Sequence, residues 1–142
     1  MRRWTLLSLM ILAPFLAAAV PASGQAGSPP GGSAETEQAL SVLLASAADD
    51  FRQSDPGTSV RVRDVRLARV PTTTGKPPQY QLCGEFTAGA EKREWAKFAT
   101  VKTSGYEQWT GAAATGLCGR EDIAWEEVPG LTESLQRKLD AH

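Results

Sequence analysis

Histidine is almost absent from the 142-residue sequence: the one histidine, His142, is its last residue. A Ser-His-Asp or Cys-His catalytic arrangement would have only this terminal side chain to use, so that chemistry is close to excluded. The sequence also lacks a Gly-x-Gly-x-x-Gly segment and a phosphate-binding loop. With 15 basic and 16 acidic residues it has no excess of positive charge, which argues against a dedicated nucleic-acid-binding protein.

Long apolar runs are limited to one, near the N-terminus. Two arginines are followed by an apolar stretch over residues 4–20 and then by small residues. This order predicts a secretory signal peptide over residues 1–24, cleaved after Gly24, with Ala22 and Ala26 as alternative sites. An uncleaved anchor is the competing interpretation, but a run of about 17 residues is short for a membrane span. We therefore expect a periplasmic or secreted protein with no stable membrane insertion after cleavage.

Cysteine is also scarce, since only Cys83 and Cys118 occur. Two cysteines without a nearby histidine offer too few ligands for zinc, and their spacing is not that of a Cys-x-x-Cys redox pair. An even number of cysteines in a small exported chain instead predicts a disulfide. Its loop of about 35 residues would contribute about 3–4 kcal/mol in the chain-entropy model. We expect no metal and no cofactor.

Hydrophobic periodicity predicts a single α+β domain over residues 34–142, preceded by a flexible linker over residues 25–33. We expect an N-terminal helix packed on a small antiparallel sheet of three to five strands, a closing C-terminal helix and one disulfide. The predicted segments are a helix from Ser33 to about Gln53, strands from Val60 and over 80–87, 94–102 and 106–110, a short strand at Ile123 and Trp125, and a helix over 131–141. The Gly/Ala-rich residues 111–116 are interpreted as a loop.

The first predicted strand changes phase at its centre. Val60 and Val62 share one face, but the apolar residues that follow, Val65 and Leu67, have the opposite parity. A one-residue slip would turn the second half of the strand inside out unless a β-bulge absorbs it. We predict such a bulge near Arg63-Asp64.

A basic strip follows the same strand. It consists of Arg61, Arg63, Arg66 and Arg69. With the bulge, all four would face solvent together, as an anion-binding face for an acidic polysaccharide, a lipid headgroup or an acidic protein. The alternative is an ordinary solvated face paired with Glu85 and other carboxylates of a neighbouring strand. Tyr106 and Trp109 would extend the candidate face; Trp109 is the aromatic most expected to be exposed, and the other aromatics are expected in or near the core.

Three stretches carry a resemblance to a known family. They are Val62-Arg63-Asp64-Val65, Cys83-Gly84-Glu85-Phe86 and Trp95-Ala96-Lys97-Phe98. In order and spacing they resemble a family of small exported bacterial proteins and lipoproteins of unknown function, over roughly residues 43–101. Thr87 stands where the family tends to have asparagine, residues 91–94 replace a Gly-rich turn, and the lipid-bearing cysteine is absent. The resemblance implies a small exported domain and no particular activity.

No catalytic residue is assigned from the sequence. Glu85 and Asp64 could form a carboxylate pair acting on a sugar, but the arginines around them would keep both ionised, whereas a general acid needs the opposite environment. Enzymatic activity is left open, with the balance against it. The expected function is a binding module of the bacterial cell envelope, whose partner is an envelope protein or an anionic polymer. The alternative is an envelope hydrolase, or a hydrolase inhibitor that presents the 111–116 loop.

Overall fold

The computed structural model describes residues 34–54, 57–89 and 94–141. In chain order the elements are α1 (Ala34–Ser54), β1 (Val60–Val70), β2 (Gln79–Ala88), β3 (Ala96–Lys102), β4 (Tyr106–Thr110), α2 (Gly111–Cys118), β5 (Ala124–Glu126) and α3 (Leu131–Asp140). The expected signal peptide (1–24), the linker (25–33, with the capping Ser33), residues 55–56 and 90–93 and His142 lie outside the described residues.

All five strands form one antiparallel sheet in the order β4-β3-β2-β1-β5. Helices α1 and α3 pack together on one face, which carries the main core, and α2 packs against β3 and β4 on the other. The predicted α+β class, with its first and last helices, is therefore confirmed. Helix α2 is an addition to the prediction.

The predicted β-bulge is present in β1. Arg63 pairs with Glu85 and Arg66 pairs with Cys83, so three steps along β1 match two along β2. Asp64, the additional residue, has a φ of 52°, a left-handed conformation that aspartate tolerates better than most residues. Because the bulge absorbs the change of phase, Val65 reaches the same core as the valines before it.

The main core contains a cluster of three phenylalanines. The ring of Phe51, on α1, lies 5.0 Å from that of Phe86 and 5.3 Å from that of Phe98, the latter edge-on. Such tilted and edge-on contacts are the favourable arrangements of aromatic rings. Around the cluster pack the apolar stripe of α1 and the leucines of α3 at four-residue spacing, Leu131, Leu135 and Leu139.

The loop predicted over residues 111–116 is wrong, because these residues belong to α2. Three consecutive alanines are good helix formers, and packing on β3 and β4 stabilises the helix despite the neighbouring glycines. Gly111, with a φ of 64°, turns the chain out of β4, and Ala114 is fully buried in a second, smaller core. The predicted disulfide between Cys83 and Cys118 is confirmed, and it crosslinks the last residue of α2 to β2.

Helix α3 covers the half of β1 that β5 does not pair. The Gln136 side chain donates from Nε2 to the carbonyl of Val60 and accepts from the amide of Val62 through Oε1, both at 3.1 Å. One turn earlier, the Thr132 hydroxyl accepts from the amide of Val65 at 3.1 Å. The side-chain amide of Gln136 thus takes the place that a backbone amide of a further strand would occupy.

Candidate functional site

Beside α2, the outer face of the sheet carries a basic and aromatic surface, which we call the basic face. It is formed by Arg61, Arg63, Arg66, Glu85, Trp95, Lys97 and Trp125. Arg61 and Arg63 alternate with the buried Val60 and Val62, so their side chains point away from the main core. The bulge keeps Arg66 on this same outer face, since the residues on either side of it are buried in the main core.

A row of ion pairs crosses three strands at the centre of the basic face. Arg63, Glu85 and Lys97 are direct register partners on β1, β2 and β3. Arg63 donates from Nε to Glu85 Oε2 at 2.7 Å, and Lys97 donates from Nζ to Oε1 at 2.9 Å. The Glu85 side chain is only 19% exposed, and each of its two oxygens accepts a charged donor.

This pairing determines the charge state of Glu85. The hydrogen bond from Lys97, followed by that from Arg63, lowers the pKa of the Glu85 carboxyl below its usual value. A lowered pKa keeps the group ionised and makes it a poor proton donor. The expectation that arginine keeps this carboxylate charged agrees with the geometry, which gives no support to a general-acid role for Glu85.

Two arginine–tryptophan stacks flank the row of ion pairs. The guanidinium carbon of Arg63 lies 4.2 Å from the centre of the Trp95 ring, and that of Arg66 lies 3.9 Å from the centre of the Trp125 ring. Both distances are within the range of cation–π contacts. Stacking leaves the edge of the Arg66 guanidinium able to donate hydrogen bonds, whereas Arg63 already donates to Glu85.

The basic face carries more positive than negative charge. Its three arginines and Lys97 are set against Glu85 and the neighbouring Asp64, whose side chain is 76% exposed and 3.8 Å from Arg63. Arg61 and Arg66 make no ion pair with any described residue. The surface therefore offers two unneutralised guanidinium groups, within a chain whose formal net charge is -1.

Three of the predicted face residues lie elsewhere. Arg69 has the opposite parity to Arg66 after the bulge and pairs with Glu126 at 3.1 Å, on the α1–α3 side of the sheet. Tyr106 packs against the main core on that same side. Trp109 is 44% exposed, as expected, and faces outward.

Trp109 is separated from the arginines by α2. One row of the sheet runs from Arg66 through Cys83 and Ala99 to Trp109. Helix α2 packs on the two middle residues and is crosslinked to one of them. The expected continuous surface from the arginine strip to Trp109 is therefore not formed.

Sequence reasoning missed Trp95, Lys97 and Trp125 as members of the face. Trp95 was expected in or near the core, but it is 36% exposed and lies beneath Arg63. Strand alternation would have identified Lys97, since Phe98 packs in the main core and Lys97, its neighbour on β3, has the other parity.

The described part of the chain contains no group of three or more His, Cys, Asp or Glu side chains placed to hold a metal ion. Within residues 34–54, 57–89 and 94–141, no helix combines the length and the apolar character that crossing a bilayer requires. No protein-family model, no curated protein and no solved structure matches the chain. The resemblance to the small exported family stays a prediction.

Proposed function

We propose that the protein is an exported, non-enzymatic binding module of the bacterial cell envelope, and that its basic face binds an anionic polymer. The observation that carries the proposal is the pair of unneutralised arginines, Arg61 and Arg66, on either side of the Arg63–Glu85–Lys97 row. Guanidinium groups bind carboxylates and phosphates through paired hydrogen bonds, and their spacing along one strand suits repeated charges of a polymer.

The tryptophans support the same proposal. Trp95 is exposed beside Arg63, and aromatic rings provide stacking surface for the apolar faces of sugar rings. A surface that combines exposed guanidinium groups with aromatic rings suits an acidic polysaccharide better than a simple inorganic anion.

The proposed location rests on two features. The N-terminal sequence has the order of a signal peptide, and the Cys83–Cys118 disulfide fits an oxidising compartment such as the periplasm or the extracellular space. Acidic polymers of the envelope are accessible to a protein in either place.

Binding of the exported protein to polygalacturonate, with neutral dextran as the control polymer, tests the proposal. We expect binding to polygalacturonate alone, and affinity that falls steeply as salt is added. Arg61→Gln plus Arg66→Gln should weaken it about tenfold, since two exposed charge contacts are lost.

A matched variant removes two positive charges outside the basic face. Arg137→Gln plus Lys138→Gln, both exposed on α3, changes the net charge equally and should bind polygalacturonate as the unaltered protein does. If both double variants lost the same affinity for polygalacturonate, net charge alone would explain binding, and the assignment of the basic face would be overturned. Turnover of an envelope polymer that is abolished by Glu85→Gln would overturn the non-enzymatic proposal.

A further inference from the structure

A groove lies on the opposite side of the sheet from the basic face. Its volume is about 400 Å³, which falls within the range of about 300–1,000 Å³ of small-molecule sites. Three parts of the chain form its walls. They are the first turns of α1, the segment 72–80, which connects β1 to β2 and includes the first residues of β2, and the adjoining ends of β3 and β4. We call it the α1 groove.

One side of the α1 groove is apolar and uncovered. Val42 is 38% exposed, one of three large hydrophobic residues exposed in the described part of the chain. Its neighbours Leu43 and Leu44 point into the main core, whereas Val42 lies about one turn after Ala39 on α1 and lines the groove together with Ala39 and Pro77. An apolar strip of this kind gains by contact with an apolar ligand.

Two tyrosines close the end of the groove near the sheet. Tyr80 and Tyr106 are both partly buried against the main core, and the hydroxyl groups of Tyr80 and Thr36 are hydrogen-bonded at 2.9 Å. These contacts tie the first turn of α1 to the start of β2. The walls are therefore formed by packed side chains on three elements rather than by one mobile surface.

Two lysines supply positive charge to the same groove. Lys76 and Lys102 line it from different walls, and neither makes an ion pair with a described residue. The Lys102 amine lies 5.9 Å from the centre of the Tyr106 ring. Glu35 is the one carboxylate among the described lining residues, so amines outnumber carboxylates two to one.

We propose that the α1 groove binds a single-chain amphiphile with a carboxylate headgroup, independently of the polymer proposed for the basic face. The groove follows α1 from Glu35 to Val42, a rise of about 10 Å at 1.5 Å per residue, which suits an extended chain. The chain contacts Ala39 and Val42, and the carboxylate meets the amine of Lys76 or Lys102. A neutral hydrocarbon would leave the two lysines without a charge partner, and a fully polar ligand would leave the Val42 side chain without an apolar contact.

The test uses decanoate as the probe and decanol as its uncharged counterpart, both as monomers, with binding followed through amide chemical shifts of the exported protein. Decanoate should bind about tenfold more tightly than decanol and should shift amides of α1 and residues 72–80. Lys76→Gln plus Lys102→Gln should remove that preference and leave decanol binding unchanged. Val42→Asn should weaken both ligands, and Glu35→Gln should strengthen decanoate binding about twofold.

Lys138→Gln, on α3, is the matched control and should change neither affinity. Thermal unfolding of each variant separates lost binding from lost folding. Equal affinity for decanoate and decanol, unaltered decanoate binding in the double lysine variant, or shifts concentrated on the basic face would each overturn the proposal.

Discussion

Gly84 lies directly opposite Phe98 on the neighbouring strand. A Cβ atom on Gly84 would sit 2.7 Å from Cε1 and 2.9 Å from Cζ of the Phe98 ring, and 3.2 Å from the carbonyl oxygen of Arg63. The same ring packs edge-on against Phe51. The glycine of the Cys-Gly-Glu segment is therefore required by packing: its missing side chain is the space that the Phe98 ring fills.

Replacing Gly84 with alanine should destabilise the protein by about 1–3 kcal/mol, the usual range for overpacking a well-filled core. The free energy of unfolding, measured with denaturant, checks this. Gly116→Ala is the control, because a Cβ there meets nothing within 4 Å and the residue lies in helix α2. That change should be neutral or stabilise by up to about 1 kcal/mol. Equal midpoints for the two variants would contradict the packing argument.

Asp50, on α1, has a carboxylate oxygen in an environment that disfavours the ionised form. Its Oδ2 is buried and receives no hydrogen bond from any described residue. Burial, and to a smaller extent the charge of Asp49, raises the pKa of the Asp50 carboxyl above its usual value. The ionised form is therefore less favourable in the folded than in the unfolded protein.

Asp50→Asn should accordingly increase the free energy of unfolding at neutral pH. Because the folded-state pKa of Asp50 is raised, folding is coupled to proton uptake. The destabilisation by the ionised carboxylate is therefore complete above the folded-state pKa and disappears as the pH falls below the unfolded-state pKa. The gain from Asp50→Asn should shrink over that window in unfolding experiments at a series of pH values. A gain that is constant with pH would show that charge is not its source.

Among the elements, α3 has a second role besides covering the core. Gln136 forms two hydrogen bonds with the free edge of β1. Unpaired strand edges promote association with other chains, and proteins commonly cover them. The pattern of leucines predicts α3 from the sequence, but the edge contact depends on where the helix crosses the sheet, which no local pattern contains.

Gln136→Ala should lower the free energy of unfolding by about 1–3 kcal/mol, because the backbone groups of Val60 and Val62 lose their partners. It should also increase self-association through β1, detectable by sedimentation at rising protein concentration. Lys138→Ala, two residues later on the same helix, is the control for helix content. If the Gln136 variant stays monomeric, capping of the edge is not what prevents association.

Helix α2 is the element of the fold that the sequence does not predict, and its stability explains why. Glycines at both ends of residues 111–116 outweighed the alanines in the sequence interpretation, although alanine is the best helix former. The helix is eight residues long, too short to be stable in isolation, and depends on contacts distant in sequence. Those contacts include the disulfide and the hydrogen bond of 3.0 Å from the Gln81 side chain to the carbonyl of Leu117.

Removing the disulfide should therefore affect α2 most. Cys83→Ala plus Cys118→Ala should reduce the free energy of unfolding by about 3–4 kcal/mol, as expected for a closed loop with a sequence separation of 35. Hydrogen exchange should accelerate in α2 before it does in α3, which depends on the separate main core. Uniform acceleration throughout the described residues would contradict a local role for the crosslink.

At the scale of the whole molecule, the basic face was predictable only in part. Alternation and the bulge place Arg61, Arg63 and Arg66 on one side, and both features can be read from the valine pattern. The separation of Trp109 from these arginines depends on α2, which the sequence did not predict. The stacking of Trp125 depends on the pairing of β5 with β1, a contact between elements distant in the chain.

The charge pairs also determine how the whole molecule responds to acid. Hydrogen bonds from Lys97 and Arg63 lower the pKa of Glu85, and a hydrogen bond from Arg120 lowers that of Asp122. A carboxyl with a lowered folded-state pKa stabilises the protein above its unfolded pKa, and this contribution is lost as the pH falls through the folded pKa. Among the described carboxyls, these two have a lowered pKa and Asp50 alone has a raised one. Stability should therefore decline on acidification below about pH 4, near ordinary carboxyl pKa values.

Glu85→Gln tests the part of this response that comes from the row of ion pairs. The variant keeps the size of the side chain but leaves Arg63 and Lys97 without their shared carboxylate, so it should be less stable than the unaltered protein at pH 7. Its unfolding free energy should fall less steeply with acid, and the two curves should converge at the lowest pH. Glu127→Gln, which removes an exposed carboxylate that forms no ion pair with a described residue, should keep the original slope. Parallel curves for the Glu85 variant and the unaltered protein would mean that the row of ion pairs contributes nothing to folding, and that its arginine and lysine are held in place by the sheet and by Trp95 alone.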